Sequence, residues 1–346
     1  MRGVLPLLFH SSACSLLIQS AVRFLRARTA WLLLLIGPAL LFCSAGQAND
    51  SPWSVLQRAQ QASQRLSYQG VLSVQSGKHI QSSRVTHVWD PQHGELEAIE
   101  SLQGLSVEWI RHNEDVQCVM HDVKTIRMEK RHASQAFSRL MSARIEELSN
   151  RYTIAQKDGD RVAGMDSTIF ELRPKDTLRF GYRLWIERET GLLLRSQTLG
   201  DNDEVIEQVS FSEIKVGSIP DKQRPKFKAA GEGWRLEDAT VSAQEAVLPL
   251  QIAFKPGVPG FRQVSGVVRK TRNTTVNQYV YTDGLASVSI FVENFNPSRP
   301  QANAVIHHGA VRTIVKRVGD YSVTAMGEVP LPTVRQFLNE IDIRKP

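Results

Sequence analysis

From Tyr68 onward the chain is written as short segments of alternating apolar and polar residues, broken every eight to twelve positions by glycine, proline or aspartate, and that rhythm restricts it to antiparallel sheet. The segments run Tyr68 to Val74, Ser83 to Trp89, Leu105 to Arg111, Val116 to His121 and Thr125 to Glu129, then Tyr152 to Ala155, Thr168 to Leu172, Tyr182 to Glu187, Leu192 to Gln197 and Val205 to Phe211. One helical pattern precedes them and one interrupts them. Ser51 and Pro52 make a cap and first-turn pair ahead of Trp53, Leu56, Ala59, Ala62 and Leu66, and Phe137, Leu140, Met141, Ile145 and Leu148 share one face between Ser134 and Leu148. The stretch Leu184 to Arg195 reads as strand, tight turn, strand.

Residues 217–233 change character, with Pro220, Pro225, several cations and two close glycines, and read as a linker. Beyond it strands are expected over Leu250 to Phe254, Gly266 to Arg269, Val276 to Thr282, Ala286 to Val292, Ala304 to His307, Ala310 to Val318 and Tyr321 to Met326. Asp283 with Gly284 marks a hairpin, and Val334, Phe337, Leu338 and Ile341 form the stripe of a closing helix that starts near Pro332. The expected fold class is mainly β with a few helices. A large unclosed antiparallel barrel wraps around helices over residues 49–216, and a smaller antiparallel sheet with a C-terminal helix follows over 234–346.

The amino terminus reads as an address. Arg23, Arg26 and Arg28 precede an apolar run from Ala30 to Cys43, and Ala45, Gly46 and Ala48 supply small residues suited to signal peptidase, so residues 1–48 are expected to be a signal peptide with an N-terminal extension, cleaved after Ala48. That run is about fourteen residues, short of the roughly twenty that a span needs. The leader holds four arginines and no acidic residue, so 38 of the 42 lysines and arginines stay with the mature part, against 35 acids. Cys118 is then the single cysteine, which excludes an internal disulfide and suits a bacterial periplasm.

Charge is unevenly shared. Residues 49–222 hold 22 basic and 25 acidic side chains, whereas 223–346 hold 16 and 10, so the second half is the expected docking surface for something acidic. Near balance overall, together with export, argues against nucleic acid. The nucleophile elbow, P-loop, dinucleotide fingerprint and zinc-protease motif are all missing from the sequence, and the histidine pairs lack metal-site spacing, so neither catalytic residues nor a cofactor or metal is expected. A curled, unclosed sheet encloses an apolar concavity, and Trp109, Met120, Phe137, Met141, Phe180 and Trp185 are the candidates to line it for a lipid, plain core being the alternative for each.

The order of elements, the 184–195 hairpin and the opening helix resemble the periplasmic lipoprotein-carrier superfamily. Taken with Leu248 to Phe254, Val258 to Gly266, Tyr279 to Val292 and the closing helix, the chain from about residue 50 to 342 resembles the MucB/RseB family of sigma-factor regulators. The resemblance implies a periplasmic negative regulator of an envelope-stress sigma factor. Such a protein binds the periplasmic segment of a transmembrane anti-sigma factor of the MucA/RseA kind, shields it from regulated proteolysis, and lets go when lipid or lipopolysaccharide binds. A lipid or lipoprotein carrier is the alternative, and self-association is left open. Aromatic and arginine side chains are the usual interface anchors, so Trp234, Arg235, Phe261, Arg262 and Arg269 are the expected partner contacts, against the reading that the aromatics plug the domain junction.

Overall fold

A computed structural model describes residues 51–130, 140–141, 143–238, 250–255, 257–270, 275–297 and 305–344; the expected signal peptide and Phe137 lie outside them. The first element is helix α1 (Pro52–Arg65). It starts where the Ser51 hydroxyl accepts from the Trp53 N–H at 3.3 Å, with Pro52 in the first turn, and it buries Leu56, Ala59 and Ala62. Eleven strands of the first lobe follow: β1 (Tyr68–Ser76), β2 (His79–Asp90), β3 (Gly94–Ser101), β4 (Val107–His112), β5 (Asp115–Met120), β6 (Thr125–Lys130), β7 (Tyr152–Val162), β8 (Met165–Pro174), β9 (Gly181–Glu187), β10 (Leu193–Leu199) and β11 (Val205–Val216). Helix α2 (Ile145–Arg151) precedes β7.

With β12 (Arg235–Asp238), these strands make one twelve-stranded sheet in the order β12-β6-β5-β4-β3-β2-β1-β11-β10-β9-β8-β7. The edge strands β12 and β7 do not pair with each other, so the barrel is unclosed. The helices occupy one face: Leu56 and Ala59 of α1 and Leu148 of α2 pack with Leu140 and Met141 against Phe170, Leu172, Tyr182, Leu184, Ile186 and Leu193. Burial of each such side chain is worth on the order of 2 kcal/mol. A bulge between Val71 and Leu72 tightens the curl where β1 meets β11. Gly70 sits beside it, where a Cβ would stand 2.3 Å from the Glu213 carbonyl oxygen.

The second lobe is a six-stranded antiparallel sheet, β14 (Arg262–Lys270), β15 (Thr275–Thr282), β16 (Ser287–Asn294), β19 (Tyr321–Gly327), β18 (Val311–Val318) and β17 (Val305–His308), in that order. Helix α3 (Leu331–Glu340) buries Val334, Phe337 and Leu338 on it, against Tyr279, Tyr281, Ile290, Ile314 and Ala325. A small two-stranded ribbon of β13 (Gln251–Phe254) and β20 (Ile341–Arg344) completes the lobe.

Four expectations are corrected. The pattern from Ser134 to Leu148 is not one helix among the described residues: 140–141 and 145–151 are helical, but Ala143 and Arg144 interrupt them, Arg144 being extended at φ −75° and ψ 127°. Ile341 is not on the closing helix; it opens β20 and pairs with Phe254. Strand β3 escaped the reading because its residues on the helix-bearing face, Glu95 and Glu97, are carboxylates neutralised across the sheet by Arg111, so no apolar period is written there. Residues 235–238, assigned by composition to the second domain, run parallel to β6 as the edge of the first sheet.

Candidate binding site at the lobe junction

The two lobes interpenetrate. The loop before β9 carries Leu178 into the apolar core of the second lobe, while Leu285, in the turn between β15 and β16, enters the core of the first. Between them lies a buried ion pair, the Arg179 Nε donating to the Asp283 Oδ2 at 2.6 Å with both side chains fully out of solvent. The rest of the guanidinium is used as well: it also donates to Asp176 and, at 3.2 Å, to the Pro259 carbonyl, and it lies 5.5 Å from the centre of the Phe261 ring. The other carboxylate oxygen of Asp283 accepts from the backbone N–H groups of Leu285 and Ala286 at 2.9 and 2.7 Å. Asp283 therefore closes its own turn and binds the opposite lobe at once. Gly284 takes φ +104° there, and a Cβ on it would lie 2.6 Å from Glu147 of α2.

Secondary ties flank this centre. The Thr333 hydroxyl, at the start of α3, donates to the Leu178 carbonyl at 2.8 Å, and Arg262 stands 3.7 Å from Glu147. Further along, the Arg312 guanidinium lies 5.5 Å from the Phe180 ring and Gly309 faces Ser76.

The segment read as a linker is strapped onto the outer face of the first sheet. The Gln117 side-chain amide donates to the Lys228 carbonyl at 3.0 Å and accepts from its N–H at 2.7 Å, while Lys228 and Arg224 reach Glu108 and Asp90. Trp234 then caps an apolar patch of Ile110, Val119 and Ile126 and meets the His121 ring edge-on at 5.8 Å. Arg235 follows, donating to the Thr125 hydroxyl at 3.2 Å.

On the helix-bearing face, β2, β3 and β4 bring a buried polar group together. His87 places Nδ1 2.7 Å from the Leu66 carbonyl and Nε2 2.9 Å from the Glu95 carboxylate, both within hydrogen-bond distance, and stacks on Tyr68 with ring centres 4.8 Å apart. Arg111 binds Glu95 at 2.6 Å and Glu97 at 3.0 Å. Burial works to raise the Glu95 carboxyl, but hydrogen bonds from His87 and Arg111 outweigh it and hold the group down at about 2.

The six expected cleft residues are not gathered in one cavity. Cross-strand register puts Trp109, which is 43% exposed, and Met120 on the same face as α1, and Met141 lies in the helical layer there. Trp185 does not join them: strand alternation turns it to the side opposite Leu184 and Ile186, beneath the Arg195 guanidinium at 5.1 Å. Phe180 is buried at the junction. Of the expected partner contacts, Phe261 and Arg262 sit beside the Arg179 pair, whereas Trp234 and Arg235 belong to the first sheet; the Arg269 side chain is outside the described residues. The sequence reading missed Arg179, Leu178, Leu285 and the second role of Asp283. Their signal, an aspartate opening a tight turn, is the same for any hairpin.

A cavity of about 710 Å³ opens in the second lobe, lined by Ala253, Phe254, Gly257, Val258, Pro259, Phe261, Tyr281, Gln336 and Phe337. Among the described residues no group of His, Cys, Asp and Glu forms a metal-ligand set, and no helix is long and apolar enough to cross a membrane.

An unclosed barrel and a smaller sheet-and-helix lobe, tied by a buried ion pair, make up the two-lobed fold. The chain belongs to the MucB/RseB family: residues 51–230 match the MucB/RseB N-terminal domain and residues 250–342 the C-terminal domain. Its relatives include the sigma factor AlgU regulatory protein MucB of Pseudomonas aeruginosa, 25% identical across 89% of this chain and 96% of that protein. The sigma-E factor regulatory protein RseB of Escherichia coli K12 is 21% identical over 89% of this chain and 95% of its own. The fold matches MucB in the Pseudomonas aeruginosa MucA/MucB complex, with TM-score 0.67 at 22% identity over 85% of this chain and 99% of that one.

Proposed function

We propose that this protein is a periplasmic regulator that works by binding, with no catalytic step: it grips the periplasmic segment of a transmembrane anti-sigma factor and shields it from proteolysis. The observation that carries this reading is the whole two-lobed body, which superposes on nearly the full length of a MucB solved together with MucA. A piece of the fold held in common would say little, because one fold hosts many functions; here both lobes match together. The second lobe adds an excess of basic over acidic residues, suited to an acidic segment. We assign 1–48 to the export signal, the first lobe, which takes Arg235–Asp238 as its edge strand, to sensing, and the second lobe, from residue 250 on, to gripping.

For release, the half-exposed Trp109 and its neighbour Met120 offer an apolar strip on the face that bears α1, open to the acyl chain of a lipid or lipopolysaccharide. Titration of the mature chain with the periplasmic segment of its cognate anti-sigma factor should give saturable binding, and an acylated amphiphile below its micelle concentration should displace the segment. An absence of binding at tens of micromolar would end the reading.

A further inference from the structure

Four large apolar side chains project into solvent at one end of the first sheet. Leu105 is 73% exposed, Ile80 and Val123 are 59% each, and Leu102 is 39%. Backbone hydrogen bonds fix them to the same end. The Leu102 N–H donates to the Ser82 carbonyl at 2.9 Å, two residues from Ile80, and the His121 N–H donates to the Ser106 carbonyl at 3.0 Å, between Leu105 and Val123. They line a rim that crosses five strands, β2 to β6, or about 19 Å at the usual strand spacing.

The rim is a built structure. In the loop between β3 and β4 the Ser101 hydroxyl donates to the Gln103 carbonyl at 2.7 Å, and Gly104 turns the chain at φ +73°. The Ser106 N–H then donates to the Asp122 carboxylate at 2.9 Å, which ties this loop to the turn that carries Val123. Residues 102–105 carry no charge, so the two leucines stand outward on a braced loop.

Charge and shape select the occupant. Lys78 and Lys124 are exposed on the same rim, whereas acids beside it are engaged, Asp122 by the Ser106 N–H, Glu100 by Arg84 at 2.6 Å and Glu108 by Lys228 at 3.4 Å. Apolar side chains standing singly on separate loop tips need a separate pocket each in a protein partner. A fluid bilayer receives them all at once, with the lysines at the level of its headgroups, and an anionic surface adds attraction to each lysine. The rim also leads onto the concave face. Met120 directly precedes the turn of Val123 and pairs across the sheet with Val107, and Trp109 follows on the same side, so an apolar path runs from the loop tips to the strip offered to an acyl chain.

We propose that this rim is a membrane-docking edge: Ile80, Leu102, Leu105 and Val123 enter the interface of an anionic bilayer, and Lys78 and Lys124 meet its phosphates. The proposal stands apart from the binding of an anti-sigma factor.

Co-sedimentation of the full mature chain with phosphatidylglycerol vesicles, and in parallel with phosphatidylcholine vesicles, tests it at low salt. The chain is expected to pellet with both and more strongly with the first. Leu102→Ser combined with Leu105→Ser, and independently Val123→Asp, should each lower partitioning at least fivefold at an unchanged thermal midpoint. Lys78→Glu with Lys124→Glu should lower it several-fold on phosphatidylglycerol alone. A wild-type chain that stays in the supernatant with both vesicles overturns the proposal, and so do folded rim variants that partition like the wild type. Loss of anti-sigma segment binding in those variants with vesicle binding intact likewise overturns it and makes the rim a protein contact. If the wild-type chain binds vesicles but not the segment, the docking edge stands and the regulator reading falls.

Discussion

Arg179 in the first lobe and Asp283 in the second form an ion pair at 2.6 Å that is wholly withdrawn from water, and each partner is also tied to its own lobe, Arg179 to Asp176 and Asp283 to the turn it closes. Desolvating two charges is costly, and the pair offsets that cost only while both members are present and fully hydrogen-bonded.

Breaking the pair from one side should therefore cost more than removing it whole. Asp283→Asn is expected to destabilise the mature chain by about 3–5 kcal/mol in urea unfolding, and the double replacement Arg179→Met, Asp283→Leu to recover most of that loss. Additive losses would show that the two side chains act independently.

The exchanged leucines predict coupling of the lobes. Leu285→Ala empties a site in the first lobe's core although the residue belongs to the second, and should cost about 2–5 kcal/mol. Unfolding followed by tryptophan fluorescence, which reports the first lobe through Trp185, and by far-ultraviolet circular dichroism should shift together in this variant. Two separated transitions would contradict the coupling.

Glu95 sets an acid limit. Its carboxyl is held at about 2 in the folded chain against an ordinary 4.5, so the folded state binds its proton less readily than the unfolded state does. The stabilisation is present above about 4.5 and is lost as the pH falls from there towards about 2. Allowing for the group's partial exposure, the effect is on the order of 2 kcal/mol. Chemical denaturation at pH 6 and pH 3 should show this loss in the wild type and a smaller one in Glu95→Gln. Equal losses would remove Glu95 from the account.

Steering should be visible in salt. Association with an acidic segment should slow as ionic strength rises through physiological values, and charge reversal at Arg262 and Arg269 should imitate that slowing. Stopped-flow association rates that are the same at low and high salt would leave the basic second lobe without a kinetic role.

Much of the fold is legible in the sequence because most strands have one face in a core, and alternation records that directly. The opening helix, the closing helix and the hairpin around Gly191, where φ is +77° and the Glu187 carboxylate accepts from the Glu189 and Thr190 N–H groups, all follow from local signals. Strand β3 does not, since half-buried carboxylates that pair across strands look like surface charge when read one residue at a time. Strand β12 is four residues long and is held by pairing with β6, about 110 positions earlier. The junction is harder still. Arg179, Leu178 and Leu285 are ordinary loop residues until the two lobes are placed together, and only then does Asp283 acquire a partner beyond its own turn.

The account stands most directly on a protection assay. The periplasmic segment of the cognate anti-sigma factor is incubated with its site-one protease, with and without a saturating amount of the mature chain, and intact segment is followed over time. Cleavage slowed by an order of magnitude or more is the predicted result; an unchanged rate at saturation would contradict the central claim.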